Sequence, residues 1–243
     1  MKILGLITAR GGSKGLPGKN IKLLGGKPLL QYTFESAKES GLLSRVILSS
    51  DDHGIIGVAK ELGLEAPFVR PVELAGDATS SLEVIKHALT ELKSQGEDYD
   101  AVCLLQPTTP FRSAGLIDAA IEKFRNGDYD SLFSVREVPA EFNPHWIFEE
   151  KEGKLQIATG DKEIISRRQD LPKAFHRDGA VYLTKTSVLL KQNSLYGDRI
   201  GLIETTGSVY VNVDTMEDWE EAERLVESGE WREESLGGKN LRF

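Results

Sequence analysis

One stretch gathers most of the residues that could hold an anion: Ala9-Arg10-Gly11-Gly12-Ser13-Lys14-Gly15-Leu16-Pro17-Gly18-Lys19-Asn20. Glycines let a backbone approach an anion closely and turn its N–H groups toward it. Arg10, Lys14 and Lys19 add three cations to the same loop. The combination suits a polyphosphate, with a solvated Gly/Lys surface loop as the alternative. It is neither common nucleotide fingerprint: Ser13 and Asn20 stand where a Walker A loop requires Gly and Ser or Thr, and Gly-x-Gly-x-x-Gly is absent.

Other candidates are dispersed along the chain. Gln106-Pro107-Thr108-Thr109-Pro110-Phe111-Arg112 combines a fixed backbone with hydrogen-bonding side chains, and Ser49-Ser50-Asp51-Asp52 follows another apolar run. Each also has a plain structural reading as a helix-capping loop. Asp214 could hold Mg²⁺ against nucleotide phosphates or help cap the helix that begins near Thr215. The adjacent Arg167 and Arg168 suit bidentate carboxylate or phosphate recognition, or ion pairs between subunits. Asp98 with Asp100, and Asp128 with Asp130, match the Asp-x-Asp of metal-dependent glycosyltransferases, but each pair precedes a strand and reads as solvated turn residues. His53, His87 and His145 read as structural or exposed, and His176 is of interest only for its neighbourhood.

The elements that must position these groups alternate. Expected strands are Lys2–Thr8, Arg45–Ser49, Ala101–Leu105, Ser131–Val138, Gly179–Thr184 and Val209–Val213. Between them lie helical patterns over Pro28–Ser40, His53–Leu62, Ser80 to about Gln95, Ala114–Asn126, Ser187–Lys191 and Thr215 to about Glu227. Ser80 with Glu83 makes a capping box, and Thr215 with Asp218 caps the last helix. This alternation implies a three-layer α/β fold, a mostly parallel sheet with helices on both faces. Ligands of such sheets gather beyond the carboxyl ends of the strands, where the glycine-rich loop falls. The rhythm breaks over 139–178, an expected insertion with a hairpin (Trp146–Phe148, Leu155–Ile157) that could serve as an oligomerisation arm. The rest of 1–228 reads as a single domain, and 229–243 as a polar, loosely attached tail.

Composition narrows the function. The chain has 243 residues and a net charge of 30 − 38 = −8, which disfavours duplex nucleic acid and anionic membranes. Cys103 is the only cysteine, so no intramolecular disulfide or multi-cysteine zinc site is possible, and its Ala-Val-Cys-Leu-Leu context reads as core. No run approaches the ~20 apolar residues of a membrane span, and no signal peptide is evident, so a cytoplasmic protein is expected.

Taken in order, the segments resemble the acylneuraminate cytidylyltransferases, which activate nine-carbon sugar acids. The resemblance runs from about Ile3 to Val226. It is carried by Ala9–Asn20, Ser49-Ser50-Asp51, Arg70-Pro71 with Leu74-Ala75, Asp77 and Ser80-Ser81, Gln106–Arg112, Arg167-Arg168-Gln169 with Gly179-Ala180-Val181-Tyr182, and Val213-Asp214-Thr215 with Glu217-Asp218. The related Kdo enzymes share the opening loop, but Arg-Arg-Gln and Gly-Ala-Val-Tyr favour the sialate side. The resemblance implies a Rossmann-like nucleotidyltransferase fold, a dimer built through the insertion, CTP as nucleotide and Mg²⁺ (or Mn²⁺) as cofactor. It implies catalysis by Lys19, Arg10 and Asp214. It implies nucleotide binding by Ala9, Arg10, Gly11, Ser13, Lys14, Lys19, Asn20, Arg70, Ser80 and Ser81. Gln106, Arg112, Arg167, Arg168, Gln169 and Tyr182 would bind the sugar acid, and Asp214 with Asn212 the metal. Two positions depart from the family's pattern. Asn212-Val213-Asp214 replaces the usual Asp-x-Asp, weakening the metal site, and Asp178 replaces an Asn before Gly-Ala-Val-Tyr, which points to a different sugar acid. Legionaminic, pseudaminic and deaminated sialic acids or Kdo are therefore alternatives, as are GTP with a sugar 1-phosphate or a non-catalytic nucleotide-binding relative.

Overall fold

Apolar runs too short for helices and rich in Ile, Val and Leu form the centre of the molecule. The computed structural model describes residues 1–205 and 209–231. In chain order, β1 (Ile3–Thr8) leads through a glycine loop to the two-residue strands β2 (Leu23–Leu24) and β3 (Lys27–Pro28), then α1 (Leu29–Glu39). Next come β4 (Arg45–Ser49), α2 (His53–Glu61), α3 (Ser81–Ser94), β5 (Ala101–Leu105), α4 (Leu116–Asn126) and β6 (Ser131–Glu137). The hairpin β7 (Phe148–Lys151) and β8 (Lys154–Ile157) precedes β9 (Phe175–Lys185), α5 (Thr186–Lys191), β10 (Ile200–Glu204) and α6 (Met216–Ser228).

The main sheet has the order β10-β6-β9-β5-β1-β4. β4, β1 and β5 pair in parallel, as do β6 and β10, while β9 runs antiparallel between β5 and β6. The fold is thus the expected mostly parallel three-layer arrangement with one reversed strand. Alternation along β1 sends Ile3 and Ile7 to one face, where they meet Leu30 and Phe34 of α1 and Ile117 and Phe124 of α4. Leu4 and Leu6 point to the other face, against Ile85 and Leu89 of α3 and Leu189 of α5. Cys103 is fully buried, and burial pushes its thiol up to about 12, as befits a core residue.

Several expectations need correction. Residues 209–213 are not a strand, and the sixth strand of the sheet is β10 instead. The alternating valines of 209–213 do bury Val211 and Val213, but against Trp219 of α6, Leu29 and Phe111 rather than within the sheet. Asp130 is not a solvated turn residue. It is buried and receives the backbone N–H of Asp198 and Arg199 as well as the Arg199 guanidinium and Lys185. Its former companions Asp98, Asp100 and Asp128 are exposed. The hairpin exists, shifted toward its turn: Glu152 and Gly153 both take positive φ (55° and 77°), the backbone of a type I′ turn. The insertion ends before Phe175, because β9 is longer than Gly179–Thr184. The start of the tail is anchored, since Trp231 stacks on Phe111 (5.5 Å) and meets Tyr32 edge-on (5.4 Å); residues 232–243 lie outside the described residues.

Candidate active site

Because five strands point the same way, the segments following β1, β4 and β5 meet on one rim. The reversal of β9 brings its first residues, 175–179, to that rim as well. The glycine-rich loop is fixed there by local bonds. Ala9 N–H donates to Ser49 O (3.1 Å), Gly11 N–H to Asp51 Oδ1 (3.3 Å), and the Asn20 amide to Arg10 O (3.0 Å). Gly15 must be glycine, since a Cβ would come within 2.2 Å of the Asp214 carbonyl oxygen. The absent side chain lets the loop press against the segment that carries Asp214.

That contact sets the floor of the site. Lys19 is only 8% exposed, and its ammonium donates to Val213 O at 2.8 Å and Asp214 Oδ1 at 2.7 Å. The Asn212 amide donates to the other carboxylate oxygen, Oδ2, at 2.6 Å. Arg10 and Lys14, higher in the loop, share Asp77 at 2.7 and 2.5 Å. Lys14 and then Arg10 hold the Asp77 carboxyl below the usual carboxylate range. Arg70 is buried beneath the loop, donating to Asp51 (3.1 Å) and Ala9 O (3.3 Å), and burial lowers its affinity for its proton. Its Nε has no partner among the described residues.

These groups surround an open cleft of about 550 Å³, within the usual range for a small-molecule site. Of the residues singled out in the sequence, Arg10, Ser13, Lys14, Lys19, Asn20, Arg70, Ser81, Gln106, Asn212 and Asp214 line it. Ala9, Gly11 and Ser80 do not. Ala9 is buried beneath the loop, Gly11 leans on Asp51, and Ser80 serves as the α3 N-cap, accepting from Glu83 N–H, which frees Ser81 to face the cleft. Sequence reasoning reads Thr108 only as one of the hydrogen-bonding threonines of its loop and Asp77 only as part of the family pattern, and gives Thr79 no reading; all three line the cleft. Asp77 could have been found, as an acid that a cationic loop would need nearby.

Arg112 does not line the cleft. Its guanidinium is buried, donates to Ala180 O, Thr33 Oγ1 and Gln106 O at 2.8 Å each, and is pushed down to about 10 by burial. It braces the β5 loop against β9. Asp178 likewise is not a charge presented to a ligand: it is buried, takes hydrogen bonds from Ser134, Thr205 and Ala180 N–H, and leads into Gly179 at φ 85°. A side chain at Gly179 would meet Thr109 Oγ1 at 2.6 Å and Gln106 Oε1 at 2.9 Å. Tyr182 stands one step behind this contact, its ring 5.0 Å from Phe133. Arg167, Arg168 and Gln169 are exposed on the insertion, with Arg167 paired to Asp170 at 2.7 Å, and none lines this cleft.

As a metal site the arrangement is sparse. No group of three or more His, Cys, Asp or Glu side chains capable of holding an ion occurs among the described residues. Asp214 with the Asn212 amide oxygen supplies what Mg²⁺ takes when nucleotide phosphates complete its shell, one carboxylate and little else. The donor set fits an ion arriving with a triphosphate.

A glycine loop with a buried lysine at the carboxyl rim of such a sheet suits the phosphates of a nucleotide, and the family match makes the chain a nucleotidyltransferase. Residues 4–235 match the cytidylyltransferase family, and the chain belongs to it. The pseudaminic acid cytidylyltransferase of Campylobacter jejuni is 37% identical over 225 residues, 93% of this chain and 96% of that one. A CMP-N,N'-diacetyllegionaminic acid synthase from Legionella pneumophila is 32% identical over 231 residues, 93% and 97% of the two chains. In fold, the chain resembles a CMP:2-keto-3-deoxy-manno-octonic acid synthetase solved with CTP, at TM-score 0.70 and 17% identity, covering 94% of this chain and all of that one. The family expected from the ordered motifs is thereby borne out. No helix among the described residues is long and apolar enough to cross a membrane.

Proposed function

We propose that this protein transfers CMP from CTP to the anomeric hydroxyl of a nonulosonic acid and releases pyrophosphate. The pseudaminic and legionaminic acids named for its relatives are the first acceptors to test, ahead of N-acetylneuraminic acid. The observation that carries the reading is the buried Lys19 ammonium between the glycine loop and Asp214. The hydroxyl oxygen attacks the α-phosphorus in line, the bond to the β-phosphate oxygen breaks, and the hydroxyl proton leaves to solvent. Catalysis is positioning and charge neutralisation. Ser13, Arg10 and Lys14 hold the β- and γ-phosphates, Lys19 turns from Asp214 to the α-phosphate, and Arg70 with Ser81 receives the nucleoside. Asp214 and Asn212 would hold Mg²⁺, which adds Lewis-acid neutralisation of the triphosphate when bound.

The insertion supports a homodimer. Phe142, Phe148, Leu155 and Ile164 are exposed apolar residues on it, and Leu155 is 70% exposed. Pairing through this arm would also carry Arg167, Arg168 and Gln169, which do not line their own cleft, toward that of a second copy. Light scattering should then give twice the chain mass.

Pyrophosphate release with CTP, Mg²⁺ and each acid tests the reaction, with GTP and sugar-free controls. Release that needs both CTP and an acid supports it. Tight CTP binding with no release for any acid would favour a non-catalytic nucleotide-binding protein, the outcome that replacement of the usual aspartate by Asn212 would then explain.

A further inference from the structure

One cation near the cleft has no assigned role. Arg177, at the start of β9, is exposed and has no carboxylate partner among the described residues. Its guanidinium is nonetheless held. It lies 5.6 Å from the Tyr182 ring and 5.5 Å from the Tyr196 ring, and Nη1 donates to the Tyr196 hydroxyl at 2.7 Å. Phe133 backs both tyrosines at 5.0 and 5.4 Å. An arginine oriented by two rings is pre-organised as a fork of donors, and its remaining N–H groups are left for an acceptor that is not part of this fold.

The group adjoins the cleft. Gln106 lines the cleft, a Cβ on Gly179 would meet Gln106 Oε1 at 2.9 Å, and Tyr182 follows Gly179 on the same strand, β9. Tyr182 then touches Arg177. The order from the phosphate end is Lys19 and Asp214, Gln106, Gly179, Tyr182, Arg177. Resting on the transfer reaction proposed above, the reacting anomeric end of the acid lies by Lys19, so the exocyclic chain at its other end reaches Tyr182 and Arg177. What such a fork suits there is an amide carbonyl, and the tyrosine faces suit an acyl methyl. A lone hydroxyl uses neither fully.

We propose that Arg177, clamped between Tyr182 and Tyr196, is a specificity-determining residue that selects sugar acids carrying a second acylamido group on the exocyclic chain. The test compares wild type with Arg177→Ala and Arg177→Lys, using CTP and three acids. Pseudaminic and N,N'-diacetyllegionaminic acids carry two acylamido groups, and N-acetylneuraminic acid carries one. Wild type should prefer the diacylamido acids. Arg177→Ala should lower the ratio of their kcat/KM to that of N-acetylneuraminic acid by about 10- to 100-fold, the loss falling on acid KM and not on CTP KM. Arg177→Lys, which keeps the charge but not the fork, should recover only part of the ratio. Because the side chain is exposed, the melting temperature should stay put and separate binding from folding. An unchanged ratio overturns the proposal. Equal loss on all three acids also overturns it, because it would place Arg177 on their shared carboxylate. Absence of turnover with every acid in wild type would instead overturn the transfer reaction, and this inference with it.

Discussion

Lys19→Ala is the most direct probe of the proposed chemistry. The ammonium is 2.7 Å from Asp214 Oδ1 with a side chain only 10% exposed, so it acts in a poorly hydrated setting. A unit charge about 4 Å from charge developing on the α-phosphate, at an effective dielectric of about 20, is worth roughly 4 kcal/mol. That corresponds to about a thousandfold in rate. Stability should fall by about 1–3 kcal/mol, because the buried Val213 carbonyl loses its donor, while Asp214, 58% exposed, keeps water as a partner. Pyrophosphate release at saturating CTP and acid should therefore fall about a thousandfold, with a melting temperature lowered by roughly 2–12 °C. A folded Lys19→Ala protein retaining more than a tenth of wild-type kcat would refute the assignment. A fall in melting temperature beyond roughly 12 °C would refute the stability half of the reasoning and recast Lys19 as a structural strut.

Three further perturbations follow from the same geometry. Asp77→Asn frees Arg10 and Lys14 from their shared carboxylate, so CTP should bind about two- to fivefold tighter at low salt, with a steeper salt dependence by calorimetry. Arg112→Met takes the guanidinium's donors from the Ala180 carbonyl and the Thr33 hydroxyl, and about 3 kcal/mol of lost stability should lower the melting temperature by roughly 6–12 °C. Asp130 has its carboxyl held below the ordinary range, first by Arg199, so its contribution is complete above the unfolded value near 3.9 and is lost as pH falls toward the lower folded value. The gap in melting temperature between wild type and Asp130→Asn should accordingly be widest near neutral pH and narrow below about pH 4. A gap that widened on acidification would contradict the ion-pair account.

What the sequence made legible was whatever local chemistry decides. β1, β4 and β5 are apolar runs buried on both faces, and α3 and α6 carry complete capping boxes at Ser80/Glu83 and Thr215/Asp218, so their positions follow from a few neighbouring residues. The cleft residues of the glycine loop were legible for the same reason. Long-range choices were not. Residues 209–213 alternate as a strand would, yet their valines face the Trp219 cluster, while Ile200–Glu204 takes the sheet edge with Ile200 and Leu202 exposed and only one face covered. Arg112 shows the same limit at the site: nothing in Pro110-Phe111-Arg112 says that its donors will be met by Ala180 and Thr33, 68 and 79 residues away. Asp130 and Asp178 were misjudged because their partners, Arg199 and Thr205, arrive with β10, the strand that was missed.

The acids around the cleft explain how a chain of net charge −8 can present a triphosphate site. Cations left unpartnered in a partly buried loop would repel one another, and Arg10, Lys14 and Lys19 are each already matched, the first two by Asp77 and the third by Asp214. Binding a triphosphate is then an exchange of anions across preformed cations, with little reorganisation of the backbone that Gly15, Asn20 and Arg70 hold in place. The exchange also has a chemical consequence. In the proposed reaction, Lys19 turning to the α-phosphate would leave Asp214 Oδ1 without its partner as the phosphates arrive, and that carboxylate would then be open to a divalent cation. Because Asn212 is neutral where a second carboxylate would add charge, the Asn212–Asp214 pair would offer an ion a single negative charge, and its affinity for the ion would depend on the nucleotide that brings it.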